Sequence, residues 1–244
     1  MEKRQDHRTE AKKDFVVQLR MLSGGAANGL VNKLHDTFRD QTGRDIDGDF
    51  GAVGGMRDRI AAGEQIDIAI LTRAAIDTLV AAGRLDPDTV TDLGHVDTGV
   101  AVKTGSSHPQ IGDAAALQRV FGSADALFCP DTKQATAGIH FATVLDRLGV
   151  RDAATLKEFP NGQTAMATMA ASDLEAPIGC TQVTEILNTD GVDYVGALPA
   201  PFDLSTIYSA AVASGAEAPD DARALIALLA DSQNADLRRS VGFT

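Results

Sequence analysis

The sequence predicts an α/β protein of two Rossmann-like lobes joined by two crossover strands. Within residues 18–71, three short apolar runs alternate with two helical patterns, and the first two runs each end in a glycine-rich turn. Strand, turn and helix in this repeated order are typical of a parallel sheet with helices on its faces. Two further apolar strands, at residues 98–103 and 207–214, have the spacing expected of strands that pass between two lobes.

These observations divide the chain into three parts. Residues 17–97 together with 206–244 are expected to form lobe one, and residues 98–205 to form lobe two. Residues 1–16 are rich in charged side chains and have no helical or strand periodicity, so we expect a disordered tail. A cleft between two such lobes is a common place for a small-molecule site.

The individual elements follow from apolar periodicity and from glycine and proline positions. Helices are predicted to begin near Ala26–Asn28 and at Gly55, and to cover residues 75–82, 113–121, 136–148, 162–171, 181–187, 219–230 and 232–240. Strands are predicted at residues 19–22, 46–50, 66–71, 90–95, 98–103, 126–129, 177–180, 194–198 and 207–214.

Composition excludes several classes of partner. The 244 residues carry a formal net charge of -12 at pH 7, which argues against a nucleic-acid surface and against an anionic membrane surface. No apolar run reaches the roughly 18 residues of a membrane span, so we expect no membrane insertion. The two cysteines, expected to be buried free thiols, have no CxxC spacing and the histidines have no HExxH spacing. We therefore expect no metal and no organic cofactor.

The first fifteen residues contain no apolar core of the kind that a secretory signal requires. As the sequence stands we expect a cytoplasmic protein. A periplasmic location is the alternative if a signal peptide has been removed.

Two glycine-rich turns point to an anion site. The turns at residues 23–28 and 51–55 both follow a predicted strand and precede a predicted helix. Backbone N–H groups and the positive ends of the helix dipoles converge at such positions, which favours a small anion as the partner. Neither turn has the GxGxxG or GxxxxGK[ST] pattern of a nucleotide site.

The order of these motifs resembles the type 2 periplasmic binding protein fold, and more narrowly the molybdate-binding protein family of ABC transporters. The resemblance runs from about Leu19 to Phe243. Its motifs are the AAN turn at 26–28, GAVGG at 51–55, IDIAI at 66–70, AGI at 137–139, APIG at 176–179 and VGFT at 241–244.

The resemblance implies a set of site positions. That family holds a tetrahedral oxyanion with hydroxyl side chains and backbone N–H groups. The matching positions here are Ala26 (or, if displaced, Ser23 or Asn28), Val53 with Gly54 beside it, Gln182, and the backbone donors Ala137 and Thr164. Three side-chain hydroxyls are thus missing, and each lost hydrogen bond to a buried anion costs about 1.5–3 kcal/mol. Molybdate and tungstate are therefore poor candidates for the ligand.

Other side chains favour a carboxylate. Arg73 follows the third strand and is expected to face the cleft, where a guanidinium suits bidentate binding of a carboxylate. Lys133 and Thr136 lie before the helix at residue 137 and would offer an anchor from the other lobe. With Gln182 and Asn28, these residues predict an organic acid that carries more than one carboxylate.

The altered site also resembles an aconitate-isomerase-like branch of the same family. The resemblance implies an isomerase that shifts a double bond by proton transfer, for which the site needs a base. His140, one turn into its helix, and Lys133 are the candidates, with Cys180 as a further possibility. Two alternatives stay open: a non-catalytic solute-binding protein for molybdate or another oxyanion, with an ABC permease as its partner, and a cytoplasmic ligand sensor.

Overall fold

The computed structural model describes residues 18–244, and the predicted tail at residues 1–16 lies outside the described residues. Within this range nine strands form one sheet. The strands are β1 (Gln18–Gly24), β2 (Asp45–Gly51), β3 (Ile68–Thr72), β4 (Thr91–Lys103), β5 (Leu127–Pro130), β6 (Leu156–Phe159), β7 (Ile178–Gln182), β8 (Val192–Ala197) and β9 (Ser205–Val212).

The helices alternate with these strands over most of the described chain. They are α1 (Asn28–Thr42), α2 (Val53–Ala61), α3 (Arg73–Ala81), α4 (Ala114–Ser123), α5 (Thr136–Leu148), α6 (Gly162–Ala170), α7 (Val183–Leu187), α8 (Pro219–Ala230) and α9 (Ala235–Ser240). Short 3-10 turns cover Gly25–Ala27, Pro87–Thr89 and Ser232–Asn234.

The sheet has two parallel ends and an antiparallel middle. Its strand order is β2-β1-β3-β9-β4-β7-β5-β6, with β8 paired to β4. Strand β1 runs parallel to β2 and β3, and β5 runs parallel to β6 and β7. Strands β9 and β4 are antiparallel to their neighbours and lie between the two parallel groups. This arrangement confirms the predicted fold class.

Strand β4 joins the two parallel groups. Its residues 91–97 pair with β9, and its residues 98–103 pair with β7 and β8. The sequence predicted two separate strands here, at 90–95 and 98–103, and this prediction was wrong. The pairing with β9 shifts register between Asp92 and Gly94, and Gly94 has φ 144°. The strand therefore continues through a local irregularity and does not end there.

The apolar side chains form separate cores on either side of this junction. The largest core draws on residues 19–96 and 208–243, and two smaller cores draw on residues 100–202. On this basis we propose to keep the predicted boundaries. Lobe one denotes residues 17–97 with 206–244, and lobe two denotes residues 98–205.

Several predicted bounds are confirmed and one strand was missed. The helices predicted at 136–148 and 219–230 have these bounds in the structure. Strand β6 was not predicted because Lys157 and Glu158, half of its four residues, are charged and exposed at the edge of the sheet.

Both cysteines are buried free thiols, as predicted. Burial raises the pKa of the Cys129 thiol to about 12, with Glu158 adding to the effect. Burial likewise raises the pKa of Cys180, which removes it as a candidate base. Over residues 18–244, no helix has both the length and the apolar character of a membrane span.

Candidate functional site

The starts of helices from both lobes line one small cavity. Lobe one contributes the turn at Gly25–Ala27, which leads into α1, and the start of α2 at Val53. Lobe two contributes the start of α5 at Thr136. None of these three starts has a side-chain cap. Their first backbone N–H groups therefore have no side-chain acceptor, and except for that of Gly54, which donates to the Gln134 carbonyl, they are available as donors to an anion.

The lining of the cavity is mostly backbone. Its polar side chains are those of Thr136, Asn161, Gln182, Glu185 and Tyr208. The other lining residues are glycine, alanine, valine and proline. Asn161 is engaged elsewhere, because its carboxamide oxygen accepts a hydrogen bond from the backbone N–H of residue 164 at 2.8 Å. No lysine, arginine or histidine of the described chain lines the cavity.

The cavity is small but opens beside a larger pocket. The volume within the cavity that the centre of a water molecule can occupy is about 20 Å³. A cavity of roughly 10–15 Å³ on this measure holds one water, so the space admits one small group. An open pocket of about 650 Å³ adjoins it and shares Gly51, Ala52 and Asn161 with its lining.

Gln182 has a buried carboxamide that no protein group satisfies. The residue is 3% exposed, and neither its Oε1 nor its Nε2 has a hydrogen-bond partner among the described residues. A buried polar group left unpaired costs about 1–3 kcal/mol. Such a group in a cavity wall has room to hydrogen-bond a water molecule or a ligand.

Glu185 is a second buried polar group at the same cavity. It is 6% exposed, its Oε2 accepts a hydrogen bond from the Thr181 hydroxyl at 2.5 Å, and its Oε1 accepts one from the Gly162 N–H at 3.1 Å. Burial raises the pKa of the Glu185 carboxyl, although these hydrogen bonds oppose the shift. The group is therefore protonated more readily than an exposed glutamate.

Tyr208 reaches the cavity from β9. It is 2% exposed and packs edge to face against Phe243, with 6.4 Å between the ring centroids. Burial raises the pKa of its phenol, and the nearby Glu185 carboxyl adds to the effect. At neutral pH its hydroxyl is a hydrogen-bond donor and not a base.

Two hydrogen bonds cross from lobe one to lobe two beside the cavity. The carboxamide nitrogen of Asn28 donates to Oε1 of Gln163 at 2.7 Å. The backbone N–H of Gly54 donates to the carbonyl of Gln134 at 2.9 Å. A Cβ at residue 54 would lie 2.9 Å from the same carbonyl oxygen, so glycine permits this approach. The lobes are thus in direct contact around the site.

The structure brings five of the residues predicted from sequence to the cavity, namely Ala26, Val53, Thr136, Ala137 and Gln182. Four others lie nearby without lining it. Asn28 and Gly54 make the contacts between lobes, and the Thr164 N–H is capped by Asn161. The Ser23 hydroxyl is buried and donates to the carbonyl of Gly24 at 2.9 Å, so it does not replace the missing hydroxyl.

Arg73 does not face the cavity as expected. It is the first residue of α3, and its exposed guanidinium donates to Asp77 at 2.8 Å and to Asp92 at 3.0 Å. Asp77 lies one turn further along the same helix, and Asp92 lies on β4. These two carboxylates hold the side chain at the surface, which accounts for its absence from the lining.

Neither predicted base lines the cavity. The Nε2 atom of His140 lies 2.7 Å from the carbonyl oxygen of Phe202, which holds the ring against that segment of lobe two. Lys133 is an exposed residue of the turn before α5, where its backbone N–H bonds to Asp131 at 2.7 Å. The expectation that either side chain lies at the ligand is not supported by these positions.

Glu185 and Tyr208 were missed at the sequence level. Glu185 is the one acidic residue in the otherwise uncharged stretch 176–189. An isolated acid in such a stretch is a signal of a buried functional carboxyl. Tyr208 gave no comparable signal, because an aromatic residue in an apolar strand is ordinary core.

Fold and site together define a solute-binding protein of the type 2 periplasmic binding protein fold. Residues 19–244 match the family model described as bacterial extracellular solute-binding protein, and the chain belongs to this family. The resemblance found in the sequence is thereby confirmed.

Individual relatives have different stated roles. Over 233 residues the chain is 28% identical to an aconitate isomerase from a Pseudomonas species, covering 90% of this chain and 85% of that protein. Among solved structures, the periplasmic molybdate-binding protein of Azotobacter vinelandii superposes with a TM-score of 0.76 at 16% identity, covering 93% of this chain and 98% of that chain. A sulfate-binding protein from Mycobacterium tuberculosis H37Rv superposes with a TM-score of 0.72 at 17% identity, covering 93% and 86%. Both structural likenesses show the fold alone.

Proposed function

We propose that this protein binds a small di- or tricarboxylate in the cleft between its lobes and isomerises it by proton transfer. The observation that carries the proposal is the unpartnered Gln182 carboxamide, buried in the wall of a cavity that uncapped helix starts also line. The 28% identical aconitate isomerase supports the reaction class.

The donor set suits a carboxylate without a paired cation. Backbone N–H groups at helix starts and the Gln182 Nε2 are neutral donors, and the helix dipoles supply the compensating positive charge. The cavity of about 20 Å³ admits one carboxylate group. The adjoining open pocket of about 650 Å³ has room for the rest of a tricarboxylate, and its lining sets the cation Arg59 beside the carboxylates of Asp49, Asp131 and Glu158.

The same donors serve an allylic isomerisation. Removal of a proton next to a carbon–carbon double bond leaves a carbanion that is delocalised onto the neighbouring carboxylate. Donors already aimed at that carboxylate stabilise the added negative charge, and in a site of low polarity this effect is large. The Thr136 and Tyr208 hydroxyls are further donors at the cavity.

A second candidate function follows from the size of the cavity. A space of about 20 Å³ bounded by neutral donors also suits a small oxyanion held by a non-catalytic transport protein. An ABC permease would be the partner in that case. The family description names extracellular proteins, which favours the periplasmic alternative over the cytoplasmic one for either function.

Thermal unfolding against a ligand panel tests the proposal. The panel holds molybdate, tungstate, sulfate, phosphate, citrate, cis-aconitate and trans-aconitate. At roughly 100 times its dissociation constant, a ligand stabilises the folded protein by about 2.7 kcal/mol, which shifts the unfolding midpoint by several degrees. We expect this shift with the carboxylates only. A shift with molybdate or tungstate alone would establish the transport function instead.

Arg73→Ala is the matched control for the panel. Because Arg73 is exposed and paired with Asp77 and Asp92, we expect the variant to keep the full shift with trans-aconitate. Loss of this shift in the unfolding midpoint would mean that the Arg73 guanidinium takes part in ligand binding.

Gly54→Ala is expected to weaken ligand binding without unfolding the protein. The added methyl group would lie 2.9 Å from the Gln134 carbonyl and would separate the lobes at their contact. We expect the dissociation constant for trans-aconitate, measured by calorimetry, to rise about tenfold, the equivalent of one hydrogen bond. Gly55→Ala is the control, since its methyl group meets only the flexible end of the Gln134 side chain. Equal affinities for the two variants would contradict a role for this contact in closure.

A further inference from the structure

The cavity offers two ionisable side chains to a bound molecule. Among its lining residues only Glu185 and Tyr208 carry a group that titrates. The phenol of Tyr208 keeps its proton at neutral pH because burial raises its pKa. Of the residues that line the cavity, Glu185 is therefore the one able to accept a proton from a substrate.

The backbone on both sides makes room for the Glu185 carboxyl. A Cβ at Gly25, in lobe one, would overlap Oε1, and a Cβ at Gly162, in lobe two, would overlap Oε2. Glycine at these two positions lets the carboxyl lie where the lobes meet. The group is consequently enclosed by the same surfaces that enclose a ligand.

The hydrogen bonds of Glu185 fix its direction and leave its charge free to change. Thr181 and Gly162 each donate to one carboxyl oxygen, so both oxygens are held without a cation. Tyr208 is the ionisable side chain that β9 brings to the cavity, and α6 contains none. Cys180 of β7 packs in a core of lobe two with Val100 and Cys129. Burial favours the neutral acid and outweighs the hydrogen bonds, so the pKa of the Glu185 carboxyl lies above its ordinary value. A buried glutamate of this kind can take up a proton and return it.

We propose that Glu185 is the catalytic residue that moves the proton, an inference that rests on the function proposed above. The Glu185 carboxylate takes a proton from the methylene carbon of trans-aconitate. The electron pair of the broken C–H bond spreads over the double bond and its carboxylate. The neutral Glu185 then gives the proton to the carbon at the other end of the allylic unit, and the double bond has moved by one position. The substrate undergoes no net oxidation or reduction, and the base is regenerated.

Glu185→Gln tests this role with little change of shape. The carboxamide keeps an oxygen to accept from Gly162, but it cannot take a proton. We expect the variant to keep its thermal stabilisation by trans-aconitate. We expect its rate of interconversion of trans- and cis-aconitate, followed by ¹H NMR, to fall roughly 10²- to 10⁴-fold. Interconversion at the wild-type rate would overturn the assignment.

Glu185→Asp keeps the test decisive if the glutamine variant does not fold. The shorter side chain withdraws the carboxylate by about an ångström, and a misplacement of that size costs on the order of 10²-fold in rate. A folded aspartate variant with the wild-type rate would contradict the assignment. These outcomes differ from failure of the proposed function itself. In that case the wild-type protein would leave trans-aconitate unchanged.

Discussion

Gln182→Met is expected to abolish most ligand binding while making the ligand-free protein more stable. The Gln182 carboxamide is buried, and neither of its polar atoms has a hydrogen-bond partner within residues 18–244. Replacing it by an apolar side chain of similar size removes an unsatisfied group, which we expect to raise the free energy of unfolding by about 1 kcal/mol. Most point substitutions lower stability, so a gain in stability here is informative.

The same substitution removes a donor from the ligand. A hydrogen bond to a charged group contributes about 1.5–3 kcal/mol, so affinity for trans-aconitate should fall roughly 10- to 100-fold. Denaturant unfolding without ligand and calorimetry with trans-aconitate measure the two effects separately. A variant that is less stable, or that binds as tightly as the wild type, would contradict the account of Gln182 as a ligand donor.

Thr98→Val is the matched control for Gln182→Met. The Thr98 hydroxyl is also buried and has no partner in the described part of the chain, but it does not line the cavity. Valine has nearly the same shape, so we expect a similar gain in stability and no change in affinity. A control that also lost affinity would mean that the effect of Gln182→Met is not specific to the cavity.

Asp67→Ala is expected to lower the free energy of unfolding by about 3 kcal/mol, the largest stability effect that we predict. Asp67 is 1% exposed. Its Oδ2 accepts from the Arg20 backbone N–H at 2.9 Å, and its Oδ1 accepts from the backbone N–H groups of Glu217 and Ala218 at 2.7 and 3.1 Å. Alanine leaves these N–H donors unpaired. It also removes the carboxylate that connects the segment before α8 to β1 through hydrogen bonds.

The contribution of Asp67 depends on pH in a defined direction. Burial alone would raise the pKa of this carboxyl, but the hydrogen bonds from Arg20, Ala218 and Glu217 together outweigh it and hold the pKa below its usual value. The stabilisation is therefore present above the unfolded pKa of about 3.9 and is lost as the pH falls through the lower folded pKa. We expect the difference in unfolding free energy between wild type and Asp67→Asn to shrink over that acid range. A difference that stays constant with pH would contradict this origin.

Glu217→Gln separates the buried hydrogen bonds from the surface ion pair. The Glu217 carboxylate pairs with Arg20 at 3.2 Å but is largely exposed. Exposed pairs contribute about 0–1 kcal/mol, so we expect little loss of stability from this variant. If Glu217→Gln lowered the free energy of unfolding as much as Asp67→Ala, the stabilisation would come from the ion pair and not from the buried hydrogen bonds.

The parts of the fold that depend on nearby residues were predictable from sequence. The helices at 136–148 and 219–230, and the turns that start α1 and α2, follow from periodicity and from local glycines. The same turns line the cavity from lobe one, because a strand end and the following helix start are joined by only a few residues. Local pattern was therefore enough to indicate an anion site.

The side chains of the site depend on contacts between distant segments. Arg73 is drawn from the cleft partly by Asp92, 19 residues further on, and His140 is held by a carbonyl 62 residues away. Glu185 is buried because Gly25 and Gly162, in different lobes, make room for its carboxyl. Residue type alone does not reveal such partners. From the sequence we therefore predicted cationic site residues that lie at the surface, and we missed a buried glutamate.

The isomerase activity is tested by mixing trans-aconitate with the purified wild-type protein in D₂O and following the mixture by ¹H NMR. We expect catalytic conversion to cis-aconitate, with no added metal or cofactor, at a rate proportional to protein concentration. Unchanged trans-aconitate, in a sample whose unfolding midpoint rises with molybdate or sulfate, would contradict the isomerase and leave an oxyanion-binding transport protein.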